Sequence, residues 1–234
     1  MMRRVALSAL LAVPVAAHAG DWKGEAAAGL LMTSGNSESE SMNGKVAIDY
    51  LAAPWKNTFS ATAINNGGDA GRTAERYTAS NQLNYDLDPD NYLFGVVDWE
   101  KDRFGAYAER TSEAVGYGRH VLKGPVHVLD AEIGGGLRQQ EEQVTGDENN
   151  EGIVRLSGKY TWKISETSAF AQALKVEYGK DNTFSQSITE LKLTVVGNLF
   201  AALSFTVHNN SKAPADTEKT DTFTAVNLGY AFGG

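Results

Sequence analysis

Cysteine is absent from the 234 residues of this chain, and long apolar runs are absent beyond its amino terminus. Without thiols the chain forms no disulfide, which suits an exported protein that does not rely on such bonds. Acidic residues outnumber basic ones, with a formal net charge of −8, and no window clusters lysine and arginine. Nucleic acid is excluded as a general partner, because phosphate binding needs clustered basic side chains. No later window holds the about 20 apolar residues of a spanning helix, so a closed β-barrel remains as the way to cross a membrane.

The amino terminus has the pattern of a secretory signal peptide. Arg3 and Arg4 precede an apolar stretch over residues 5–17, and Ala17-His18-Ala19 places small residues around a cleavage site. A short membrane anchor is the alternative, but the apolar stretch is shorter than the about 20 residues that a spanning helix needs. We expect residues 1–19 to be removed as a signal peptide and residues 20–234 to form the mature protein.

Alternation of apolar and polar residues is the main structural signal in the mature chain. In the run over residues 74–87, the odd positions from 77 to 87 are apolar apart from Asn81, and the even positions from 76 to 86 are polar or charged. Residues 130–139 show the same pattern. Successive side chains of a strand point to opposite faces, so each run has one apolar and one polar face. Both runs are long enough for the about nine to eleven tilted residues with which a β-strand crosses a bilayer.

A strand followed by turn residues recurs twelve times. The predicted strands are residues 22–33, 39–51, 58–65, 74–87, 92–102, 110–121, 126–140, 152–163, 168–178, 183–196, 199–208 and 221–232. Connections after even-numbered strands are tight, whereas residues 66–73, 141–151 and 209–220 form longer, polar connections. This alternation is typical of outer-membrane barrels, whose short turns are periplasmic. The sequence predicts an all-β fold, a single transmembrane antiparallel β-barrel of about 12 strands with both termini in the periplasm.

A soluble β-sandwich or a lipocalin-like barrel is the alternative fold, because any sheet with one solvated face shows alternation. The last three strands favour the membrane, since their apolar faces are continuous and their polar faces would make a poor dry core. Those polar faces carry Glu190, Lys192, Ser204, His208, Asp221 and Asn227. Aromatic residues near the turns would form an interfacial girdle. They are Tyr50, Trp55, Phe59, Tyr85, Tyr92, Tyr117, Tyr160, Trp162 and Phe232.

Several short motifs, in their order and spacing, resemble those of the domain of unknown function 481 family. The resemblance covers essentially the whole mature chain. It is carried by Ser34-Gly35-Asn36-Ser37, Asn91-Tyr92-Leu93-Phe94-Gly95, residues 99–104, Gly116-Tyr117-Gly118, residues 134–138 and residues 222–232. Members of this family are often labelled salt-induced outer membrane proteins. The resemblance implies an outer-membrane β-barrel and little about activity, because the family's function is not established.

The charged residues on the polar faces are candidate lumen residues. They are Arg76, Glu100, Asp102, Asp130, Glu132, Arg138, Arg155, Lys159, Lys163, Glu190, Lys192 and His208. If the seventh and eighth strands pair as their predicted ends suggest, Asp130 faces Lys163 and Glu132 lies near Lys159. Opposite charges across a strand pair stabilise a sheet by roughly 0.2 to 1 kcal/mol, so a structural ladder suffices to explain these two pairs.

The same register would bring two arginines, Arg138 and Arg155, together near the outer mouth. Two neighbouring positive charges need another partner, and Glu100 and Asp102 on the inward face of the fifth strand are the candidates. An unpaired arginine pair at a mouth would make the lumen selective for anions. We therefore treat these two residues as the predicted ion filter.

Catalytic, metal and cofactor residues are not predicted. A strand-borne serine hydrolase would show His-x-Ser, since residues two apart share a face, and the chain has no such sequence. His208 and Ser204 share a face but are four residues apart, too far for direct activation at about 3.3 Å per residue. The acidic segment 141–148 lacks the pattern of a calcium loop and is expected to be solvated. The glycines of residues 116–118 and 134–136 lie within strands, so they are not phosphate loops and serve strand bending or close packing.

The leading functional hypothesis is a narrow, charge-lined pore for small solutes or ions in the outer membrane of a Gram-negative bacterium. The label of the resembling family would link such a pore to salt or osmotic stress. A plugged barrel with a structural or surface-interaction role is the rival hypothesis, since twelve strands lie between filled and open barrels. A lipid-modifying enzyme is a third. The expected partners are outer-membrane lipid, lipopolysaccharide and the barrel-assembly machinery, with no nucleic acid.

Overall fold

The computed structural model describes residues 20–33, 39–68, 71–214 and 217–233. Within them the chain forms twelve strands. These are β1 (Asp21–Thr33), β2 (Ser39–Ala52), β3 (Trp55–Gly68), β4 (Gly71–Asp86), β5 (Asn91–Asp102), β6 (Tyr107–Lys123), β7 (His127–Glu142), β8 (Glu148–Lys163), β9 (Ser168–Gly179), β10 (Thr183–Val196), β11 (Leu199–Asn210) and β12 (Thr220–Gly233). Each strand pairs with its neighbours in sequence, and β1 pairs with β12, so the sheet closes into an antiparallel barrel. No helix in the described ranges is long and apolar enough to cross a membrane.

The predicted fold class and strand number are confirmed, and each predicted strand overlaps an observed one. The long connection predicted at residues 66–73 is wrong, because β3 runs to Gly68 and β4 begins at Gly71. The connection predicted at 141–151 shrinks to 143–147, since β7 and β8 pair as far as Glu141 and Glu148. Backbone hydrogen bonds do not require apolar side chains, so these hairpins continue where the alternation stops. The connection at 211–219 is close to its prediction.

The connections divide the barrel into two ends. We call the end that holds residues 53–54, 87–90, 124–126, 164–167 and 197–198 the turn end, and the opposite end the loop end. β1 begins and β12 finishes at the turn end. Both ends of the described chain therefore lie on one side, and the assignment of that side to the periplasm stays a prediction. The predicted signal peptide, residues 1–19, and the motif at 34–37 lie outside the described residues.

Alternation sorts the side chains between an outer surface and a lumen. Leu203, Val226 and Leu228 face outward and are 48%, 67% and 55% exposed, whereas the inward His208 and Asn227 are buried. Most of the predicted girdle also lies on the outer surface near the turn end. Its exposed members are Trp55, Phe59, Tyr85, Tyr117, Trp162 and Phe232. The outer wall therefore presents the apolar band that a bilayer requires.

Tyr92 does not belong to the girdle, so that part of the prediction is wrong. It is 2% exposed, and it packs with Phe94 and Val96 in the lumen. Its hydroxyl donates a hydrogen bond to Glu132 Oε1 at 2.9 Å. The alternation of β5 explains this placement, because Tyr92, Phe94 and Val96 share one face, and Leu93 points outward and is 47% exposed.

Glycines on β6 and β7 make room for the inward aromatic rings. A Cβ atom added at Gly116 would lie 2.8 Å from the Phe94 ring, and one at Gly134 would lie 3.0 Å from it. A Cβ at Gly118 would overlap the Tyr92 ring. These strand glycines therefore serve close packing, as the sequence suggested.

We expect Gly118→Ala to destabilise the folded barrel by about 1–3 kcal/mol, because the added methyl group overpacks against Tyr92. Urea unfolding in lipid vesicles measures the change. Gly152→Ala is the matched control, since nothing lies within 4 Å of a Cβ at that strand glycine. Equal midpoints for the two variants would contradict the packing role.

Candidate functional site

Ionisable side chains from β4 to β12 meet across the loop half of the lumen. We call this group the loop-end network, and its members come from the inward faces of eight strands. They are Arg76, Asp98, Glu100, Asp102, Arg110, Arg138, Glu151, Arg155, Lys175, Glu177, His208 and Asp221. Many of these residues are buried, although the lumen side of an open pore would be solvated.

Glu177 lies at the centre of the loop-end network. Its side chain and that of Arg138 are both 0% exposed, and Arg138 Nη1 lies 3.6 Å from Glu177 Oε2. Arg155 Nη1 donates to Glu177 Oε1 at 3.0 Å, and the Ser112 hydroxyl donates to Oε2 at 2.9 Å. Arg138 Nη2 also donates to Glu151 Oε1 at 2.5 Å. One carboxylate therefore joins two arginines that would otherwise repel each other.

Asp98 extends these contacts towards the middle of the barrel. Its Oδ2 atom accepts hydrogen bonds from Arg155 Nη1 at 2.7 Å and from Lys175 Nζ at 2.9 Å. Its Oδ1 atom accepts a hydrogen bond from the Ser80 hydroxyl at 2.6 Å. Asp98 therefore links β4 and β5 to β8 and β9 through the lumen, although these two pairs of strands are not neighbours in the sheet.

Arg76 spans the lumen from β4 to β11. Its Nε atom donates to Asp102 Oδ2 at 2.7 Å, and its Nη1 atom lies 2.8 Å from His208 Nδ1. Because a guanidinium can only donate, Nδ1 accepts and carries no proton. The other ring nitrogen of His208 lies 2.7 Å from the side-chain amide of Gln186. Both nitrogens of His208 are therefore engaged, and neither contacts Ser204.

Arg110 completes the network beside two aromatic rings. Its Nη2 atom donates to Asn210 Oδ1 at 2.7 Å, its guanidinium carbon lies 4.0 Å from the centre of the Phe184 ring, and its Nη1 atom lies 3.9 Å from Glu100. The Nε atoms of Arg110, Arg138 and Arg155 have no hydrogen-bond partner among the described residues. Burying a charged group whose N–H donors lack hydrogen-bond partners costs free energy, so a stabilising role alone does not explain this network.

A smaller group of charges lies nearer the turn end, against β1, β2 and β10. Lys45 Nζ donates to Glu190 Oε2 at 2.8 Å and lies 3.3 Å from Glu25 Oε1. Lys192 forms an ion pair with the other oxygen of Glu25. We call these four residues the lower tetrad. Two cations and two carboxylates compensate one another there, so the tetrad adds no net charge to the lumen.

A cavity of about 620 Å³ lies within the lumen between these groups. It reaches from Lys56 and Lys159 on the turn side to Arg76 and His208 in the loop-end network. Hydroxyl groups cover much of its β3 and β4 wall. They belong to Thr58, Ser60, Thr62, Thr78 and Ser80. The turn half of the lumen is therefore a polar chamber, and the loop half is filled by paired charges.

The predicted pairing of β7 with β8 is wrong by four residues. Asp130 lies opposite Lys159 and not Lys163, and Glu132 lies opposite Ser157. The cause is that both strands run past their predicted ends, since β7 ends at Glu142, β8 begins at Glu148 and only residues 143–147 connect them. Glu132 is satisfied by neutral donors, with Gln82 Nε2 at 2.7 Å among them.

The predicted arginine filter is also wrong as drawn. Arg138 lies opposite Glu151, and Arg155 lies opposite Gly134. Glu177 lies between the two arginines, so they do not form an unpaired cationic mouth. Glu100 and Asp102, their predicted partners, instead contact Arg76, with Glu100 4.0 Å from Arg76 Nη2.

All twelve candidate lumen residues lie at inward positions of their strands, although the structure groups them differently. Six belong to the loop-end network: Arg76, Glu100, Asp102, Arg138, Arg155 and His208. Glu190 and Lys192 belong to the lower tetrad. Asp130, Glu132 and Lys159 line the cavity, and Lys163 is exposed at the final residue of β8.

Five members of the loop-end network were not among the predicted lumen residues: Asp98, Arg110, Glu151, Lys175 and Glu177. Alternation would have found Asp98, which shares a face with Glu100, whereas Glu151 lies one residue before the predicted start of the eighth strand. Across the described ranges, no three histidine, aspartate or glutamate side chains are arranged to hold a metal ion.

The closed antiparallel barrel has the fold of outer-membrane β-barrels. An outer membrane channel from Pseudomonas putida F1 superposes with a TM-score of 0.51 at 12% identity, covering 92% of this chain and 96% of that one. The NanC porin superposes with a TM-score of 0.49 at 12% identity, covering 92% and 98%.

The chain belongs to the domain of unknown function 481 family, whose model matches residues 26–232. The resemblance drawn from the short motifs is thereby confirmed. A curated relative, an uncharacterized protein named YdiY from Escherichia coli strain K12, is 29% identical over 211 residues. The match covers 90% of this chain and 83% of that protein.

Proposed function

We propose that this protein is an outer-membrane barrel whose lumen is closed on the loop side by the loop-end network. In this proposal the signal peptide is removed and the barrel-assembly machinery inserts residues 20–234 with both termini in the periplasm. The observation that carries the proposal is the burial of paired charge across the lumen, with Arg138 and Glu177 both fully buried. A solute crossing the barrel would have to break these ion pairs.

The open-pore hypothesis is the second candidate, and the cavity of about 620 Å³ supports it. Small solutes from the turn side could enter this chamber, and movement of the network would connect it to the loop side. The named channel and porin neighbours share only the fold at 12% identity. The geometry of the resting structure favours closure, because the charges that would line a pore are engaged with one another.

Swelling of multilamellar vesicles in a small neutral sugar tests the proposal. Vesicles that contain the folded wild-type barrel should swell no faster than protein-free vesicles, because the network leaves the loop half filled. Heat-shifted gel mobility of the same sample shows that the barrel has folded. Rapid swelling with a folded sample would overturn closure and support the open pore.

A role in salt or osmotic stress belongs to this proposal through the family's label alone. A closed barrel would contribute to stress tolerance by strengthening the envelope or by opening under stress. A deletion strain that grows as well as its parent at every salt concentration would remove this part of the proposal.

A further inference from the structure

The outer wall carries a recessed apolar surface across β1 to β4. Its volume is about 740 Å³, and we call it the outer trough. Small residues on four adjacent strands form most of its floor, and Val46 of β2 lies among them. They are Ala26, Ala28, Gly44, Ala61, Ala63 and Ala79. Large side chains close its two ends, with Tyr77 and Trp99 on one side and Leu228 and Tyr230 on the other.

Strand pairing shows why these residues form a continuous trough. One cross-strand row runs from wall to wall, with each residue paired to the next. In order it is Tyr230, Ala26, Val46, Ala61, Ala79 and Trp99. Neighbouring strands lie about 4.8 Å apart, so a floor of four strands gives the trough a length of roughly 15–20 Å. That length matches an extended acyl chain and not a compact solute.

Positive charge adjoins the loop side of the trough. Glu75 lies two residues beyond Tyr77 on the same face, and its carboxylate accepts hydrogen bonds from Arg72 at 2.6 Å and Arg103 at 3.3 Å. The side chains of Arg72 and Arg103 are 56% and 61% exposed, so their remaining donors are free to meet a ligand. Lys101, which pairs with Tyr77 across the strands, is also exposed.

We propose that the outer trough and these cations bind one lipopolysaccharide molecule, with an acyl chain in the trough and a lipid A phosphate on Arg72 and Arg103. Arginine donates two parallel hydrogen bonds to a phosphate, and basic groups at the edge of a membrane-spanning wall recognise anionic headgroups. The site needs an apolar chain and a phosphate in one molecule, a combination that free phosphate lacks. The proposal rests on the outer-membrane placement above, with the loop end facing the outer leaflet.

Native mass spectrometry of the folded barrel in detergent tests the site directly. The probes are bisphosphorylated lipid A, dephosphorylated lipid A and phosphatidylethanolamine. We expect bisphosphorylated lipid A to remain bound most tightly. Replacing Arg72 and Arg103 with alanine should weaken it by about tenfold or more, as the loss of one charge-assisted contact would.

A second variant tests the trough without touching the cations. The double change Ala61→Leu and Ala63→Leu fills the floor and should also weaken lipid A binding. Its matched control is Ala131→Leu, at an exposed outward alanine of β7. The control for the arginine pair is the double change Arg119→Ala and Lys180→Ala, which removes two exposed cations elsewhere.

Loss of binding in both site variants, with both controls binding as wild type, would establish the site. Equal retention of phosphatidylethanolamine, or lipid A binding unchanged in either site variant, would overturn it. This assay measures lipid binding to the outer wall, and its result does not depend on whether the barrel conducts ions. A barrel that conducts but binds lipid A would therefore overturn the closed lumen and leave the lipid site standing.

Discussion

Replacing Glu177 with leucine should destabilise the barrel by about 3–5 kcal/mol, because it leaves the buried Arg138 and Arg155 facing each other without their shared carboxylate. Ser112 also loses the acceptor of its hydroxyl. The free energy of unfolding, measured with urea in lipid vesicles, reports the change.

The matched control is Asp90→Leu, which breaks the ion pair with Lys123 at the turn end. Both of those side chains are about half exposed, at 49% and 47%. An exposed pair contributes about 0–1 kcal/mol, so this variant should unfold close to the wild-type midpoint. Equal destabilisation by the two variants would contradict a buried hub at Glu177.

Removing the centre of the network should turn a closed barrel into a conducting one. The variant replaces Arg138, Arg155, Asp98 and Glu177 with serine, so it deletes two positive and two negative charges together. Balanced removal leaves the net charge of the lumen unchanged, and it leaves one ion of each sign without its partner, since Glu151 loses Arg138 and Lys175 loses Asp98. The loop half then loses two of the four arginines of the network, and water should fill the space. We expect the mean current in planar bilayers to rise by at least an order of magnitude.

The control for this variant is the double change Asp90→Ala and Lys123→Ala, which removes charges of both signs in equal number, one of each, outside the lumen. It should leave the current at the wild-type level. A folded network variant that stays as silent as the wild type would show that another part of the lumen closes it. The lower tetrad of Glu25, Lys45, Glu190 and Lys192 would then be the next barrier to examine.

The sequence predicted the barrel because its signals are local. Alternation along each strand and turn residues between strands determine strand number, order and the faces of residues such as His208 and Leu203. Alternation along the fifth strand also predicts that Tyr92 points into the lumen. Its closeness to a turn led to a girdle assignment, although it shares a face with Phe94.

The pairing of charges was not predictable, because it depends on quantities that alternation does not contain. The β7–β8 register depends on how far the hairpin continues past residues 140 and 152, and an error of four residues exchanged Lys159 for Lys163. Contacts such as Arg76 with His208 join β4 to β11 across the lumen. They depend on barrel diameter and strand tilt, which are set by the closure of the whole sheet.

Single-channel recording of the wild-type barrel tests the closed lumen most directly. The protein is folded in lipid, checked by its heat-shifted mobility, and added to a planar bilayer. We expect a silent trace or rare, brief steps, because the loop-end network fills the loop half of the lumen. Long-lived, reproducible steps from the folded wild-type protein would contradict it.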